Sequence, residues 1–447
     1  MYIFKLCGRY MTTRKIAFAS VISILLGVAT LIVVNSVMTG FRTKMRERLH
    51  GILSDVVVES RSPLSGFPEP DVIMKRIKAT CGDRIAGMTP AIETVGLLSY
   101  KPKGYSANPL TREVQIVGID PKGRCEVGDF RTHLLDKENQ AEPSFKLRSN
   151  ALSWREMNPD LIDSKEEWPG TILGYQIATF RTRGMQSDEY LIYPGHEVII
   201  TTVANGEGGR PEPASYKFIV SDLYRSDMSE YDQRYMFVPL DALQKVCGMQ
   251  GRANTIQIKL RHESDALAVV EALRTMLPPQ FFMVSTWEEK QGPLLQAVKV
   301  EAFLMNLVLF FIIAVAGFGI LSTFAMMVIE KTRDIGLLKA LGASHRGVMG
   351  LFLAYGLALG MIGAFCGAAF GILFTIYLNP IEGVLTQWTG FEIFPRDIYY
   401  FDEIPILLDP LNVVWVVIGS LLIAVAAAVF PARRASRLNP VETLRYE

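Results

Sequence analysis

Cysteine is scarce in this chain of 447 residues: there are five, and Cys81, Cys125 and Cys247 fall in its charged middle portion. Three thiols leave room for at most one internal disulfide, and a segment of this size does not depend on staples, so buried free thiols are the expectation. Glycine loops of the G-x-x-x-x-G-K-[ST] form are missing, which excludes unaided nucleotide hydrolysis by that machinery. Paired C-x-x-C and H-E-x-x-H motifs are missing as well. His196-Glu197 and His262-Glu263 each lack a second histidine at helical spacing, so no zinc site is expected on either. The chain reads as a non-enzyme without a cofactor and without a nucleic-acid partner.

Charge itself is missing from four stretches, 16–41, 302–329, 347–381 and 410–432, which contain no Asp, Glu, Lys or Arg. A helix crosses the roughly 30 Å hydrocarbon core in about 20 residues, so each stretch is long enough to span a bilayer. Averages conceal this: 49% hydrophobic, 20% charged and a net charge of +1 describe neither the runs nor what lies between them. The first run follows Arg14 and Lys15, outlasts the ~15-residue core of a signal peptide and lacks a small-x-small cleavage site, so it reads as a retained helix. Spans free of charged residues argue against a proton relay or ion path through the membrane.

Orientation follows from the flanking basic residues. Lys5, Arg9, Arg14 and Lys15 precede the first span; Lys331, Arg333, Lys339 and Arg346 join the second to the third; Arg433, Arg434, Arg437 and Arg445 follow the fourth. Those three segments belong in the cytoplasm. The loop between the third and fourth spans holds Glu382, Glu392, Asp397, Asp402, Glu403 and Asp409 against Arg396 alone, and belongs outside. The expected plan is a cytoplasmic segment 1–15, span 16–41, an extracytoplasmic α+β domain 42–301 inserted between the first and second spans, span 302–329, a cytoplasmic connector 330–346, span 347–378, a short outer loop 379–409, span 410–431 and a cytoplasmic tail 432–447.

Within 42–301, a basic amphipathic exit from the first span, Phe41 to Leu49, leads to β-rich runs at 55–59, 111–119, 196–203, 215–220, 234–238 and 255–260. Helical pattern is weak over 73–79 and better over 264–277, where Leu267, Val270, Leu273 and Leu277 recur at three- and four-residue spacing. Residues 205–209 read as a hairpin tip. The stretch 121–168, rich in charge, Pro, Asn and Ser, reads as a surface insertion.

Two further patterns stand out. Gly356, Gly360, Gly363, Gly367 and Gly371 give the third span a small-residue face suited to close helix packing, expected within the chain's own bundle. The first span carries a second stripe, Ser20, Ser23, Gly27 and Thr30, suited to its own bundle or to a partner subunit. In the connector, Ile335, Leu338 and Leu341 share a helical face with Leu337 beside them, Lys331, Arg333, Asp334 and Lys339 supply polar surface, and Gly342 stands where a left-handed cap would end the helix. Such a face either docks on a cytosolic protein or lies on lipid.

The run Glu330-Lys-Thr-Arg-Asp-Ile-Gly-Leu-Leu-Lys-Ala-Leu-Gly-Ala-Ser344 resembles the coupling-helix segment of ABC transporter permeases related to the division protein FtsX and the macrolide exporter MacB, and Phe430 to Glu447 resembles that superfamily's C-terminal signature. Val117-Gly-Ile-Asp-Pro121, Ile172-Leu-Gly174, Gly195-His-Glu-Val198, Ser226 to Asp232, Phe237-Val-Pro-Leu240 and Trp287 are similar to the permeases of the lipoprotein-releasing system, the LolC and LolE type. The insertion 121–168 departs from that pattern, and the proline-bearing hook loop that recruits a periplasmic chaperone is not recognised. The resemblance implies a mechanotransmitting permease in the bacterial inner membrane, large domain in the periplasm, working with cytosolic ABC ATPase subunits, a second permease copy or paralogue, a lipoprotein cargo and a periplasmic carrier. It assigns Ile335, Leu337, Leu338 and Leu341 to the apolar docking face and Glu330, Arg333 and Asp334 to polar contacts with the ATPase. The basic tail serves anionic headgroups or the ATPase. Two alternatives are a MacB-like efflux permease, disfavoured by the absence of an N-terminal ATPase, and an FtsX-like signalling scaffold that switches an extracytoplasmic hydrolase, disfavoured by the size of 42–301.

Overall fold

The computed structural model describes residues 15–102, 109–158, 168–180, 188–206, 210–226, 228–389 and 403–438. These fall into two compact units, one drawn from Met45–Leu295 and one from the segments on either side of it. In chain order the elements are α1 (Lys15–Ile52), β1 (Val56–Ser60), α2 (Pro70–Cys81), β2 (Ile85–Tyr100), β3 (Leu110–Ile119), α3 (Pro121–Val127), α4 (Ser149–Met157), β4 (Gly170–Gly174), β5 (Glu197–Asn205), β6 (Pro211–Tyr224), β7 (Tyr235–Pro239), α5 (Leu240–Val246), β8 (Thr255–Leu260), α6 (Ala266–Met276) and β9 (Phe282–Thr286). Then come α7 (Gly292–Glu330), α8 (Thr332–Ala340), α9 (His345–Ile376), α10 (Leu378–Thr389) and α11 (Pro410–Ser436).

The α+β unit is organised by one strand that serves two sheets. The first half of β2 completes an antiparallel sheet of order β9-β1-β8-β2, with Thr255 opposite Ala91. Its second half pairs with β3, Ile92 opposite Gly118, and also with β5, Leu98 opposite Ile200. Because β3, β7, β4, β6 and β5 follow one another in hydrogen-bonding order, the pairing of β5 back to β2 closes them into a barrel. Burial along β2 records the switch: Ile85, Gly87, Thr89 and Ala91 are buried, then Ile92, Gly96, Leu98 and Tyr100. The inward parity flips between Ala91 and Ile92, where the partner changes. Asn254 holds this point, its Oδ1 accepting from the Glu93 N–H at 2.9 Å and its Nδ2 donating to the Glu93 carbonyl at 2.8 Å. A strand whose alternation reverses midway carries no single two-residue period, which is why β2 is absent from the sequence-based expectation.

Elsewhere the expected strands form, and β4 and β9 join them. In the first sheet Val56, Val58, Ile256, Ile258 and Val284 pack against Ile77 of α2 and Val269, Val270 and Leu273 of α6. Of the residues at helical spacing, Val270, Leu273 and Leu277 are buried, with Val269 beside them, whereas Leu267 is 69% exposed. The barrel interior is filled by Ile116, Leu173, Val198, Ile200, Phe218, Val220 and Met236, plugged by Leu243 of α5. The β5–β6 hairpin runs to Asn205 opposite Pro211 and closes through the Gly206 N–H to the Arg210 carbonyl at 2.8 Å; residues 207–209 of the expected tip lie outside the described residues. The stretch 121–168 differs from expectation. It holds α3 and α4, and Phe130 and Leu134 pack with Val117, Ile119, Ile172, Tyr224 and Phe237. Its polarity had masked these few apolar anchors.

The helical unit contains four helices long and apolar enough to cross a membrane. Helix α7 begins at Gly292 rather than near 302, α10 occupies part of the expected outer loop, and α11 continues to Ser436 with Pro431 inside it. Cys81, Cys125 and Cys247 are free thiols; Cys81 and Cys247 are buried, and burial pushes the Cys247 thiol up to about 11.

Candidate functional site

The glycine face of α9 meets two helices of the unit. Ideal Cβ atoms built at Gly363, Gly367 and Gly371 would lie 2.7 Å from Ile24 Cβ, 2.7 Å from the Leu25 carbonyl oxygen and 3.0 Å from Ala29 Cα, all on α1. At Gly356 and Gly360 they would lie 2.8 and 2.9 Å from the Cβ atoms of Ala428 and Ala424 on α11. All five glycines therefore mark close approaches between helices of this chain. On α1 the contact face is Ile24, Val28, Ala29 and Ile32; of the serine and glycine stripe, Ser20 is buried, Ser23 lies 3.8 Å from the Cβ position of Gly319 on α7, and Thr30 is exposed.

Helix α8 lies between α7 and α9 in sequence and ends at Gly342, whose φ of +95° is the left-handed cap its position requires. Its apolar residues divide. Leu337 and Leu341 are 52% and 78% exposed, Leu338 is half-buried, and Ile335 is only 2% exposed, packed within the helical unit. Ile335 is thus a correction to the expected docking face: a three-to-four-residue stripe on a short helix does not reveal which of its members the neighbouring spans cover. Glu330, Arg333 and Asp334 are exposed, and Lys331 donates to Asp334 at 2.7 Å.

A latch ties α8 to the end of α11. Lys339 Nζ donates to the Ser436 carbonyl at 2.8 Å and to the Leu438 carbonyl, and His345 Nδ1 bonds the same Ser436 carbonyl. The last carbonyls of a helix have no intrahelical partner and carry partial negative charge, so an ammonium is well matched to them. The sequence placed Lys339 on the polar side of the connector, but nothing local signals a partner 97 residues away. Arg433, Arg434 and Arg437 are exposed beside it. Residues 439–447 of the C-terminal signature, the basic Lys5, Arg9 and Arg14, and the loop charges Glu392, Arg396, Asp397 and Asp402 lie outside the described residues.

In the α+β unit, the last turns of α1 are pinned by buried charge. Asp55, 1% exposed, accepts from the Leu260 N–H at 2.7 Å and Lys259 Nζ at 3.1 Å, and bonds His50 Nε2 at 2.7 Å. Arg124 donates to the Ile52 carbonyl at 2.7 Å and to Gln257. Lys290 pairs with Glu59 at 3.0 Å and Glu93 at 2.9 Å. Burial raises the Glu93 carboxyl, but the Lys290 ammonium and its hydrogen bond, together with Arg124 and a hydrogen bond from Gln257, outweigh that and leave it below the usual range. Burial likewise works against the Lys290 charge, and the two carboxylates reverse it. Leu49, Ile52, Tyr231 and Trp287 close an apolar cluster over this network. Trp287 was singled out in the sequence; Arg124, Glu93 and Lys290 were not, since their partners converge only through sheet pairing.

Among the described residues no group of His, Cys, Asp and Glu is arranged to hold a metal ion. His196 stacks on Trp154 at 5.3 Å, and burial holds its imidazole below the usual value; Glu197 pairs with Arg155 at 3.3 Å and Lys217 at 3.1 Å.

Comparison with known proteins bears on both units. Residues 17–276 match the MacB-like periplasmic core domain and residues 306–440 the FtsX-like permease C-terminal domain. The chain is 28% identical over 435 residues to the lipoprotein-releasing system transmembrane protein LolC of Xylella fastidiosa, covering 97% of this chain and 94% of that protein. It is 25% identical over 439 residues to LolE of Haemophilus influenzae, covering 96% and 94%. To the macrolide export ATP-binding/permease protein MacB of Bdellovibrio bacteriovorus it is 21% identical over 450 residues, covering 96% of this chain but 59% of that protein. With the first match covering more than half of the sequence and the second most of the remainder, the chain belongs to the ABC transporter permeases of the FtsX/MacB superfamily and resembles the lipoprotein-releasing permeases LolC and LolE over nearly its whole length.

Proposed function

We propose that this chain is the non-catalytic membrane half of an ABC transporter that extracts lipoproteins from the outer leaflet of the bacterial inner membrane, with ATP hydrolysed by a separate cytosolic subunit. The observation that carries the cargo class is the near end-to-end resemblance to LolC and LolE, at 97% and 96% of this chain. The α+β unit would stand in the periplasm, as the basic flanks of the spans favour. Extraction costs about 0.8 kcal/mol for every CH₂ withdrawn from lipid, so an energy-coupled machine fits the task.

The ATPase would dock on the exposed part of α8, with Leu337, Leu338 and Leu341 as its apolar contacts and Glu330, Arg333 and Asp334 around them. Ile335 supports the helix from behind. The Lys339 latch would make α8 and α11 move together, and the glycine contacts of α9 with α1 and α11 would carry that movement through the spans. The partner permease would be a second copy or a paralogue, with a periplasmic carrier receiving the cargo. Efflux of the MacB kind is the second reading, favoured by the matched periplasmic core.

Leu341→Glu places a charge at the most exposed of these leucines. Loss of at least tenfold in co-purified ATPase, with the chain still in the membrane fraction, is the expected result; unchanged co-purification would remove α8 as the docking element. Depletion of the chain should strand lipid-modified proteins in the inner membrane, whereas normal sorting with raised drug sensitivity would favour efflux.

A further inference from the structure

Residues 121–122, 143–147, Leu152 and Arg155 build one wall of a solvent-open cavity of about 830 Å³ in the α+β unit. The opposite wall comes from the barrel, through Gly170 of β4, Ile219 of β6 and Pro239 at the end of β7. A volume of this order suits one ligand of drug or lipid-chain size.

The wall is a built feature. Asp222 and Asn139 are buried at 2% and 0% exposure, and Asn139 Nδ2 donates to Asp222 Oδ2 at 3.1 Å. Arg148 then donates to Asn139 Oδ1 at 3.1 Å, to the Glu142 carbonyl at 2.9 Å and to Ser144 Oγ at 3.2 Å, fixing the strap 143–147. That strap lies directly on the start of β4: an ideal Cβ at Gly170 would fall 1.8 Å from the Phe145 carbonyl oxygen, so only glycine lets it close down. This hydrogen-bonded scaffold fixes the strap beside a solvent-open, mainly apolar groove.

The lining is of two kinds. Phe145, Leu147, Leu152, Trp168 and Ile219 supply aromatic and aliphatic surface. Lys122 and Lys146, both exposed, supply positive charge. The two remaining charged residues are engaged: Asp120 accepts from the Gly123 N–H at 2.9 Å as a helix cap, and Arg155 pairs with Glu197 at 3.3 Å. The Gly123 N–H leaves the negative charge of Asp120 in place, but Lys122 and Lys146 outnumber it, so the net charge at the cavity is cationic and its walls are mainly apolar.

We propose that this cavity binds a single-chain anionic amphiphile, the apolar chain lying against Phe145, Leu152, Trp168 and Ile219 and the anionic head meeting Lys122 and Lys146. The inference stands apart from the transport reading, because the cavity lies away from α8 in sequence and uses none of its residues. The head is a carboxylate or a phosphate, and the test separates the two.

Full-length protein in its native membrane would be photolabelled with a diazirine fatty acid, a diazirine lysophosphatidylglycerol and an uncharged diazirine monoacylglycerol, and the labelled peptides mapped by mass spectrometry. Labelling of peptides spanning 143–157 and 168–180 by at least one anionic probe is expected, at least fivefold above the uncharged probe; whichever anionic probe labels more strongly identifies the head. Leu152→Trp should abolish that labelling by filling the space, and Lys122→Glu with Lys146→Glu should reduce it at least fivefold. Labelling of α7 and α9 serves as the control that each variant is folded and inserted, and should not change. Equal labelling by the uncharged probe, or no labelling at these peptides beside normal labelling of α7 and α9, would overturn the proposal while leaving lipoprotein release untouched.

Discussion

The two units of this chain are held together by different means. In the α+β unit the contacts are between large side chains: Ile92, Leu98, Phe218, Met236 and Leu243 are each fully buried in the barrel. In the helical unit close contacts are made by residues with almost no side chain, among them the five glycines of α9 against the backbone and Cβ atoms of α1 and α11. Much of its large apolar surface points outward, with Phe303, Phe310, Phe318 and Leu411 more than 60% exposed. Water rewards removal of apolar surface, so a soluble unit gains by burying its bulkiest residues. Lipid does not, so membrane helices gain by close fit, which small residues permit.

That contrast can be broken most directly at Gly367. Gly367→Leu should prevent assembly of the helical unit, since even a Cβ there meets the Leu25 carbonyl oxygen at 2.7 Å. Yield of monodisperse protein in detergent should fall at least tenfold, whereas Leu373→Ala on an exposed position of the same helix should change it little; equal behaviour of the two would refute the close-fit account. The soluble counterpart is Leu243→Ala, which removes the plug of the barrel. A cost of about 3 kcal/mol is expected for emptying such a site, read as faster hydrogen exchange in β2 to β7 with the exchange of α9 unchanged.

The smallest effect concerns Asp222, whose carboxyl burial pushes up to about 6 despite hydrogen bonds from Leu223, Asn139 and Asp136. A carboxyl with a raised folded value binds its proton more tightly in the folded chain than in the unfolded one. The folded unit is therefore favoured at low pH and loses that advantage as pH rises from about 4 through 6. Asp222→Asn should flatten this slope in thermal unfolding followed by Trp fluorescence; an unchanged slope would mean another group carries it.

How much of this was legible beforehand depended on the range of the signal. The spans showed as bare absence of charge, the connector as an amphipathic turn ended by Gly342, and most strands as local β-rich runs. Ile335 belongs to the apolar stripe of the connector yet packs within the helical unit, because helical periodicity identifies an apolar stripe without saying which neighbour covers which residue. Leu267 shares the spacing of Val270 and Leu273 and is exposed for the same reason. The stretch 121–168 looked like surface because Phe130, Leu134 and Trp154 are few among many charges, although they suffice to anchor it.

By itself the sequence determined the membrane spans, the α+β character of the long middle segment, the helical connector and the family, since each rests on composition, short-range period or contiguous motif. Tertiary structure decided the double service of β2, the Lys339 latch to Ser436, the Arg124, Glu93 and Lys290 network and the cavity behind the 143–147 strap. Those features join residues far apart in the chain, and their partners are chosen by sheet register and helix packing rather than by anything written beside them.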